Sequence, residues 1–457
     1  MSASPAEVGR TKFDIGAIVR THRAALEALY RLSPAQKRVL TDIERCRTAA
    51  LGGHLDVCHT CGYERPSYNS CRNRHCCKCQ ALAAEAWIER RRERLLDIGH
   101  FHVVFTLPSE IRPLAKHAPE VVYDALFQAA KATLLELGQE RLQATLGATL
   151  VLHTWRRDLR FHPHLHAIVT GGGLSLDGER FVHCPRYLFP VKVMGMLLRG
   201  KVLAALSDAY KAGAFAAFAA FQDPAAFGRL EGKLRKLSWN VYAKAPFKKS
   251  QYVLAYLGRY THRVGIANSR LLDVTDEHVV FRTKGKGTET VTPVEFLRRF
   301  VQHVLPAGFH KIRHIGLYAS PARLALARER LGMPVALAPR PQPSWEQRLL
   351  KITGRDVRLC PVCGATLVRI TLPPHARGPP CDAGRRRLRL EADPRIRGLW
   401  YRVASRRKGA VAPRRCPPPR PPNGRSVRYP AARNRPPAVR TSSPRPGFAP
   451  PSTAKNA

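Results

Sequence analysis

The sequence predicts an α+β fold, with a small cysteine-rich module ahead of the main sheet domain and a disordered basic tail behind it. Three observations predict it. Short segments rich in β-branched and aromatic residues are interspersed with longer segments of helical periodicity. Two Cys-x-x-Cys pairs lie close together between Cys58 and Cys79. Finally, composition changes sharply over residues 373–457, which hold 18 of the 37 prolines and 21 Lys and Arg against three acids. Such a tail cannot bury enough apolar surface to offset its ordering entropy.

Taken in order, residues 12–50 carry apolar positions at helical spacing, among them Ile15, Ile18, Leu26, Leu29 and Leu32. The cysteine stretch follows, and then a helix over ALAAEAWIERRRERLLDI, apolar on one side and basic on the other. FHVVFTL (101–107) is a strand, 119–137 an amphipathic helix, and 148–155 and 162–170 two further strands. Gly171, Gly172 and Gly173 are expected to break the chain after the last of these. WNVYAK (239–244) is a short strand, with helices around 250–262 and 296–305. The domain boundaries that follow are an N-terminal helical segment (1–50), a zinc-binding domain (51–95), a main domain (96–335), a segment with a lone Cys-x-x-Cys knuckle (336–372) and the tail (373–457).

Charge narrows the function classes. Lys and Arg number 77 against 33 Asp and Glu, a formal net charge of +44. Nucleic acid is the partner expected of such a chain, because every neutralised phosphate releases a condensed counterion. No basic amphipathic helix with a wide apolar face suggests a membrane surface, and no apolar run reaches the ~18 residues that would span one. MSASPAEVGRTKFD lacks the apolar core of a signal peptide, so a cytoplasmic location is expected, nucleoid-associated when acting. There the 12 cysteines read first as metal ligands rather than disulfides.

Cys58-x-x-Cys61 and Cys76-x-x-Cys79 each form a knuckle presenting two thiolates, and together they make the tetrahedral sulfur shell of one structural zinc. Cys46, His54, Cys71 and His75 lie close enough to substitute or to hold a second ion. Arg65, Arg72, Arg74, Lys78, Arg90, Arg91 and Arg92 surround this module and suit DNA backbone contact. Cys360 and Cys363 form a further knuckle whose only downstream cysteines fall in the tail.

His162, His164 and His166 alternate along a strand, so their imidazoles share one face. That pattern suits a metal site with positions left open for phosphate oxygens. Tyr252, Tyr256 and Tyr260 recur every four residues and line one side of a helix. Lys244, Lys248, Lys249, Arg259, His262 and Arg263 crowd that segment, as a phosphate site would require. A phenol of pKa about 10 is almost wholly un-ionised at neutral pH, so a metal ion or cations must help it attack.

Together these motifs resemble the rolling-circle transposases of the HUH class, the two-tyrosine insertion-sequence family with an N-terminal zinc-binding domain. The resemblance rests on CRTAALGGH, NSCRNRHCCKCQ, FHVVFTLP, LHTW, HPHLHAIVTGGGL, VYAKAPF, YLGRYTHRVGIAN and FLRRFVQHVLPAGFHKIRHIGLYA, in the family's order, over about residues 15–370. It implies an HUH-type antiparallel sheet with the histidine strand central and the tyrosine helix packed across it. It also implies a nuclease and strand transferase acting on single-stranded DNA at element ends and target, with catalytic Mg or Mn. His164 and His166 match the paired metal ligands, and Tyr256 and Tyr260 match the catalytic tyrosines. Arg156-Arg157 follow LHTW where some members carry Gly-Gln, so a third ligand is open among Asp158, His162 and His153. A rolling-circle replication initiator shares this chemistry, and a non-enzymatic zinc-containing DNA-binding protein or inactivated transposase shares the charge. The zinc module favours the transposase.

Overall fold

The computed structural model describes residues 13–186, 188–221, 223, 225–247, 253, 258, 265–335 and 342–374. The expected helical segment is two helices, α1 (Ile15–Leu29) and α2 (Pro34–Arg45). The break follows from Ser33-Pro34. A residue before proline is driven to extended backbone, and Ser33 then caps α2 in a reciprocal box with Gln36. These helices pack against a separate three-stranded sheet, β8 (Leu271–Val274), β9 (Val279–Arg282) and β10 (Thr288–Val291), and the helix Pro293–Val301. Ile15, Ile18, Val19, Leu40 and Ile43 share that core with Phe281, Phe296 and Phe300.

The cysteine module is a hairpin, β1 (Gly53–Val57) and β2 (Glu64–Tyr68), followed by α3 (Ala81–Arg94). Its third strand comes from the far end of the sequence. β12 (Val368–Leu372) pairs antiparallel with β1, Gly53 opposite Leu372 and Val57 opposite Val368. The segment bearing Cys360 and Cys363 is therefore built into the module at the front of the chain, where a separate segment was expected.

The main sheet runs β11-β4-β5-β3-β7, antiparallel throughout, with short β6 (Phe181–His183) on the end of β5. Its strands are β3 (His100–Thr106), β4 (Ala144–Trp155), β5 (Phe161–Ser175), β7 (Val241–Phe247) and β11 (Ile312–Gly316). The histidine strand β5 is central, as expected. One face carries Phe101, Val103, Phe105, Leu150, Leu152, Leu165 and Ala167 into a core with α5 (Pro119–Leu142) and α6 (Val191–Lys211). Each of the Phe, Val and Leu side chains contributes roughly 1.5–3 kcal/mol on full burial, so this face anchors the sheet and frees the other for chemistry.

The glycine triplet does not break the chain. β5 continues through it to Ser175, paired with β4 on one side and β6 on the other. The glycines instead let neighbouring backbones come close. A Cβ at Gly173 would stand 2.5 Å from the Thr145 carbonyl oxygen and one at Gly171 2.7 Å from that of Gly99. At Gly172, where φ is +143°, it would collide with the Val182 carbonyl. Among the described residues no helix is long and apolar enough to cross a membrane.

Candidate functional site

Period-two alternation turns His162, His164 and His166 away from the α5/α6 core. The register supplies neighbours on the same face: His153 lies opposite His164, Val151 and Val104 flank His166, and His102 lies opposite Ile168. His153, His164 and His166 converge, each offering a ring nitrogen within 4.8 Å of the others. The Nδ1–H of His164 donates to the carbonyl of His162 (2.7 Å). Nδ1 of His166 is bonded to Nε2 of His102 (2.8 Å), and those two rings are stacked. The Nε2 atoms of His164 and His166 therefore meet, 3.1 Å apart. Two nitrogens at about 2.1 Å from one octahedral ion stand about 3 Å apart when adjacent, so the pair is spaced as ligands to one ion.

Burial pushes His164 down to about 4 and holds His166 well below its ordinary value, His153 adding to the second effect. Burial, and then the facing Lys244, also brings His102 to about 4. The rings are thus neutral at neutral pH, the form that ligates a metal.

His162 and Asp158 stand outside this group. His162 accepts at Nδ1 from the Arg112 guanidinium (3.5 Å). Asp158 accepts from the Arg160 backbone N–H (3.1 Å) and faces the guanidinium groups of Arg156 and Arg160. The β4–β5 register places His153 as the third nitrogen of the group. Sequence reasoning missed His102 altogether. Its signal was the alternation His100-Phe101-His102 at the start of HFHVVFTL, which gains meaning only once β3 is known to border β5.

Tyr252, Tyr256 and Tyr260, with Lys248, Lys249, Arg259, His262 and Arg263, lie outside the described residues. Val253 and Gly258 are described and helical. Val253 is fully buried in a cluster with Val151 and Ile168, on the histidine face, together with Leu95, Leu96 and the partly buried Trp87 and Ile88 of α3. Lys244 is exposed on β7 directly opposite His102.

The cysteines do not group as spacing suggested. Cys58 and Cys61 are not joined by Cys76 and Cys79. Instead Cys46, Cys71, Cys76 and Cys79 form one group and Cys58, Cys61, Cys360 and Cys363 another, the sulfurs in each within 4.8 Å of one another. The reason is the β1–β2 hairpin, which carries the first knuckle away from the second and toward the segment that β12 brings in. In the first group the Cys76 thiol donates to Sγ of Cys46 (3.5 Å) and the Cys71 and Cys79 sulfurs stand 3.8 Å apart, and the crowded thiols hold Cys46 far down and push the other three up. Four sulfurs crowding one point in this way is the donor set that zinc satisfies as thiolates. His75 and His54 are not in either group. His75 accepts the Leu305 N–H (3.1 Å), and His54 stands 3.7 Å from the Asp56 carboxylate.

Two family models match. Residues 147–324 match one described as "Putative transposase", and residues 18–107 match the transposase zinc-binding domain. "Putative transposase y4qJ" of Sinorhizobium fredii is 42% identical over 392 residues, covering 82% of this chain and 98% of that protein. The chain belongs to the IS91 transposase family. The transposase for insertion sequence element IS801 of Pseudomonas savastanoi pv. phaseolicola is 28% identical over 362 residues, 74% of this chain and 84% of the relative. No solved structure matches. The first cysteine group lies wholly within the zinc-binding match, and the histidine group lies wholly within the transposase match.

A transposase handles DNA, and its cations divide into two sets. Arg65 is bonded to Asp56 and the Val357 carbonyl, Arg74 to the carbonyls of Phe309 and Pro306, and Lys78 to Asp14. Arg91 donates to Nε2 of His314 (2.6 Å), tying α3 to β11. These four act as internal ties. Arg72, Arg90 and Arg92 are exposed and remain available to phosphate.

Proposed function

We propose that this transposase cuts and rejoins single-stranded DNA through a 5′-phosphotyrosine on Tyr256 or Tyr260, using Mg or Mn held by His153, His164 and His166. The observation that carries this reading is the convergence of three imidazoles on one face of the central strands, with two Nε2 atoms 3.1 Å apart. An ion bound there supplies positive charge beside the scissile phosphate. The phenol oxygen attacks phosphorus, the bond to the 3′-oxygen breaks, and that oxygen takes up a proton to leave a free 3′-hydroxyl. The phosphodiester is exchanged for a phosphotyrosine ester, so no nucleotide cofactor is needed. Val253 supports the assignment of the nucleophile. It is helical and buried beside Val151 and Ile168, and in a helix the positions three and seven residues on, those of Tyr256 and Tyr260 in the sequence, would share its side. Lys244, with Lys248, Lys249, Arg259 and Arg263, would steer the strand. In the same reading Cys46, Cys71, Cys76 and Cys79 hold the zinc of the N-terminal domain.

The test is a labelled single strand carrying an element end, incubated with protein and Mg and run on a denaturing gel. A covalent protein–DNA band is expected, lost when both tyrosines become Phe and lost with His164→Ala. Shifted DNA without any covalent band would make the chain a zinc-containing DNA binder instead.

A further inference from the structure

The second cysteine group draws on residues outside both family matches, since Cys360 and Cys363 lie beyond residue 324. Its two knuckles are built alike. In Cys58-His59-Thr60-Cys61-Gly62, the Cys58 N–H donates to the Tyr63 carbonyl (2.8 Å) and the Gly62 N–H to that of Cys58 (2.9 Å). In Cys360-Pro361-Val362-Cys363-Gly364, the Cys360 N–H donates to the Ala365 carbonyl (2.8 Å) and the Gly364 N–H to that of Cys360 (2.9 Å). Both glycines sit at positive φ, +73° and +75°, which the turn needs after its second cysteine. Two segments some 300 residues apart thus fold into the same thiolate-presenting turn and face each other.

Sγ of Cys58 is 3.4 Å from that of Cys363, and Sγ of Cys61 is 3.5 Å from that of Cys360. All four are free thiols. Around a zinc with bonds of about 2.3 Å, tetrahedral sulfurs stand about 3.8 Å apart, close to the spacing here. Little else holds the turns together. Their buried cluster is Cys58, Cys360 and Leu367, with Tyr63 and Ala365 partly buried against it, far too little apolar surface to order two turns unaided. Next to it Asp56 braces the three strands, accepting from Arg65 of β2 (2.9 Å) and Arg369 of β12 (2.7 Å).

We propose that Cys58, Cys61, Cys360 and Cys363 bind a zinc ion of their own, which staples the C-terminal segment onto the N-terminal module. The whole catalytic sheet lies in the loop so closed. The stapled segment also contributes the helix Trp345–Thr353, which docks on α3 through Arg348–Glu89 (2.8 Å) and Lys351–Glu85. α3 packs its Trp87 and Ile88 against the cluster on the histidine face. The staple therefore secures the outer side of a helix that packs on the histidine face of the sheet. This goes beyond the nuclease reading and does not depend on it.

The experiment is metal counting on the full chain by native mass spectrometry, with thiolate-to-cobalt absorption on reconstitution as a second readout. Two zinc ions per wild-type chain are expected, and two equivalents of cobalt to saturate the thiolate band. Cys360→Ser with Cys363→Ser should leave one ion and raise hydrogen exchange over residues 342–372. Cys71→Ser with Cys79→Ser should remove the other ion. A wild-type chain with one zinc, kept by the Cys360/Cys363 variant and lost by the Cys71/Cys79 variant, would overturn the staple and spare the first site. One zinc lost only with Cys360 and Cys363 would do the reverse. Should a serine variant fail to fold, alkylation of the wild type mapped by peptide mass spectrometry decides: bound zinc is expected to protect Cys360 and Cys363, and labelling of both at the rate of the metal-free chain overturns the proposal.

Discussion

At the scale of single residues, the candidate site is held by hydrogen bonds that fix which ring nitrogen faces inward. His102 is a positioning residue in this scheme, because its bond to Nδ1 of His166 turns Nε2 toward His164. Removing such an outer partner typically costs ~10–100-fold in metal affinity. His102→Ala should therefore raise the Mn concentration for half-maximal strand cleavage by about that factor, while cleavage at saturating Mn persists. An unchanged Mn dependence would show that His102 does not orient its neighbour. Asp158→Asn, by contrast, should leave the Mn dependence as in the wild type, and His153→Ala should weaken Mn binding strongly. Two other buried histidines carry a pH dependence. His100 donates to the Ile98 carbonyl and accepts from the Tyr318 hydroxyl, and His303 donates to the Leu159 carbonyl and accepts from Thr154. Each bond set fits a neutral ring, and burial lowers both to about 4. The unfolded chain takes up those protons at about pH 6.5 and the folded chain only near 4. Stability should thus hold above 6.5 and fall as pH drops from 6.5 to 4, by up to a few kcal/mol per histidine. Thermal melts across that range would show it, and a Tm that is flat from pH 7 to 4 would contradict it.

At the scale of elements, strand β5 does two jobs along its length. Its first half alternates histidines with core residues, and its second half is threaded between β4 and β6 by glycines. The second job explains why the strand extends beyond the stretch that pattern alone marks out. Gly172→Val adds a Cβ against the Val182 carbonyl at a φ of +143°, and Gly173→Val adds one 2.5 Å from the Thr145 carbonyl oxygen. Neither obstacle is a flexible side chain. Each variant should lose more than about 2 kcal/mol, as strain at a special backbone position does. Chemical denaturation measures this directly, and a loss below ~0.5 kcal/mol would mean that the strands part without cost.

At the scale of the whole molecule, a net charge of +44 demands a polyanion, and family membership makes that polyanion DNA. Several basic side chains near the cysteine module are bonded to carbonyls and carboxylates, whereas Arg72, Arg90, Arg92 and Lys244 are exposed, and we propose these as phosphate contacts. With six to ten phosphates neutralised, affinity should fall by roughly 10³–10⁵ between 50 and 200 mM salt. A fluorescence anisotropy titration at several salt concentrations would test this. Arg90→Ala with Arg92→Ala should lower the salt slope, whereas Arg74→Ala should lower the melting temperature because its carbonyl partners at Pro306 and Phe309 lose their donor.

Local pattern sufficed for the α+β class, the positions of β3, β4 and β5, the histidine face and the Cys-x-x-Cys turns, because helical and strand periodicity and tight turns are written in neighbouring residues. Shared family motifs supplied the expectation that β5 is central. Partnership over long range was not legible. Nothing in spacing tells that Cys58 and Cys61 meet Cys360 and Cys363, since that depends on β12 returning to pair with β1. Nor did spacing tell which of His153, His162 and Asp158 stands beside His164 and His166 until the register set His153 opposite His164. Sequence distance carries no information about which strand edges find each other. That is decided when separate segments bury their apolar faces together, and here the same packing brings the cysteine groups and the imidazoles together.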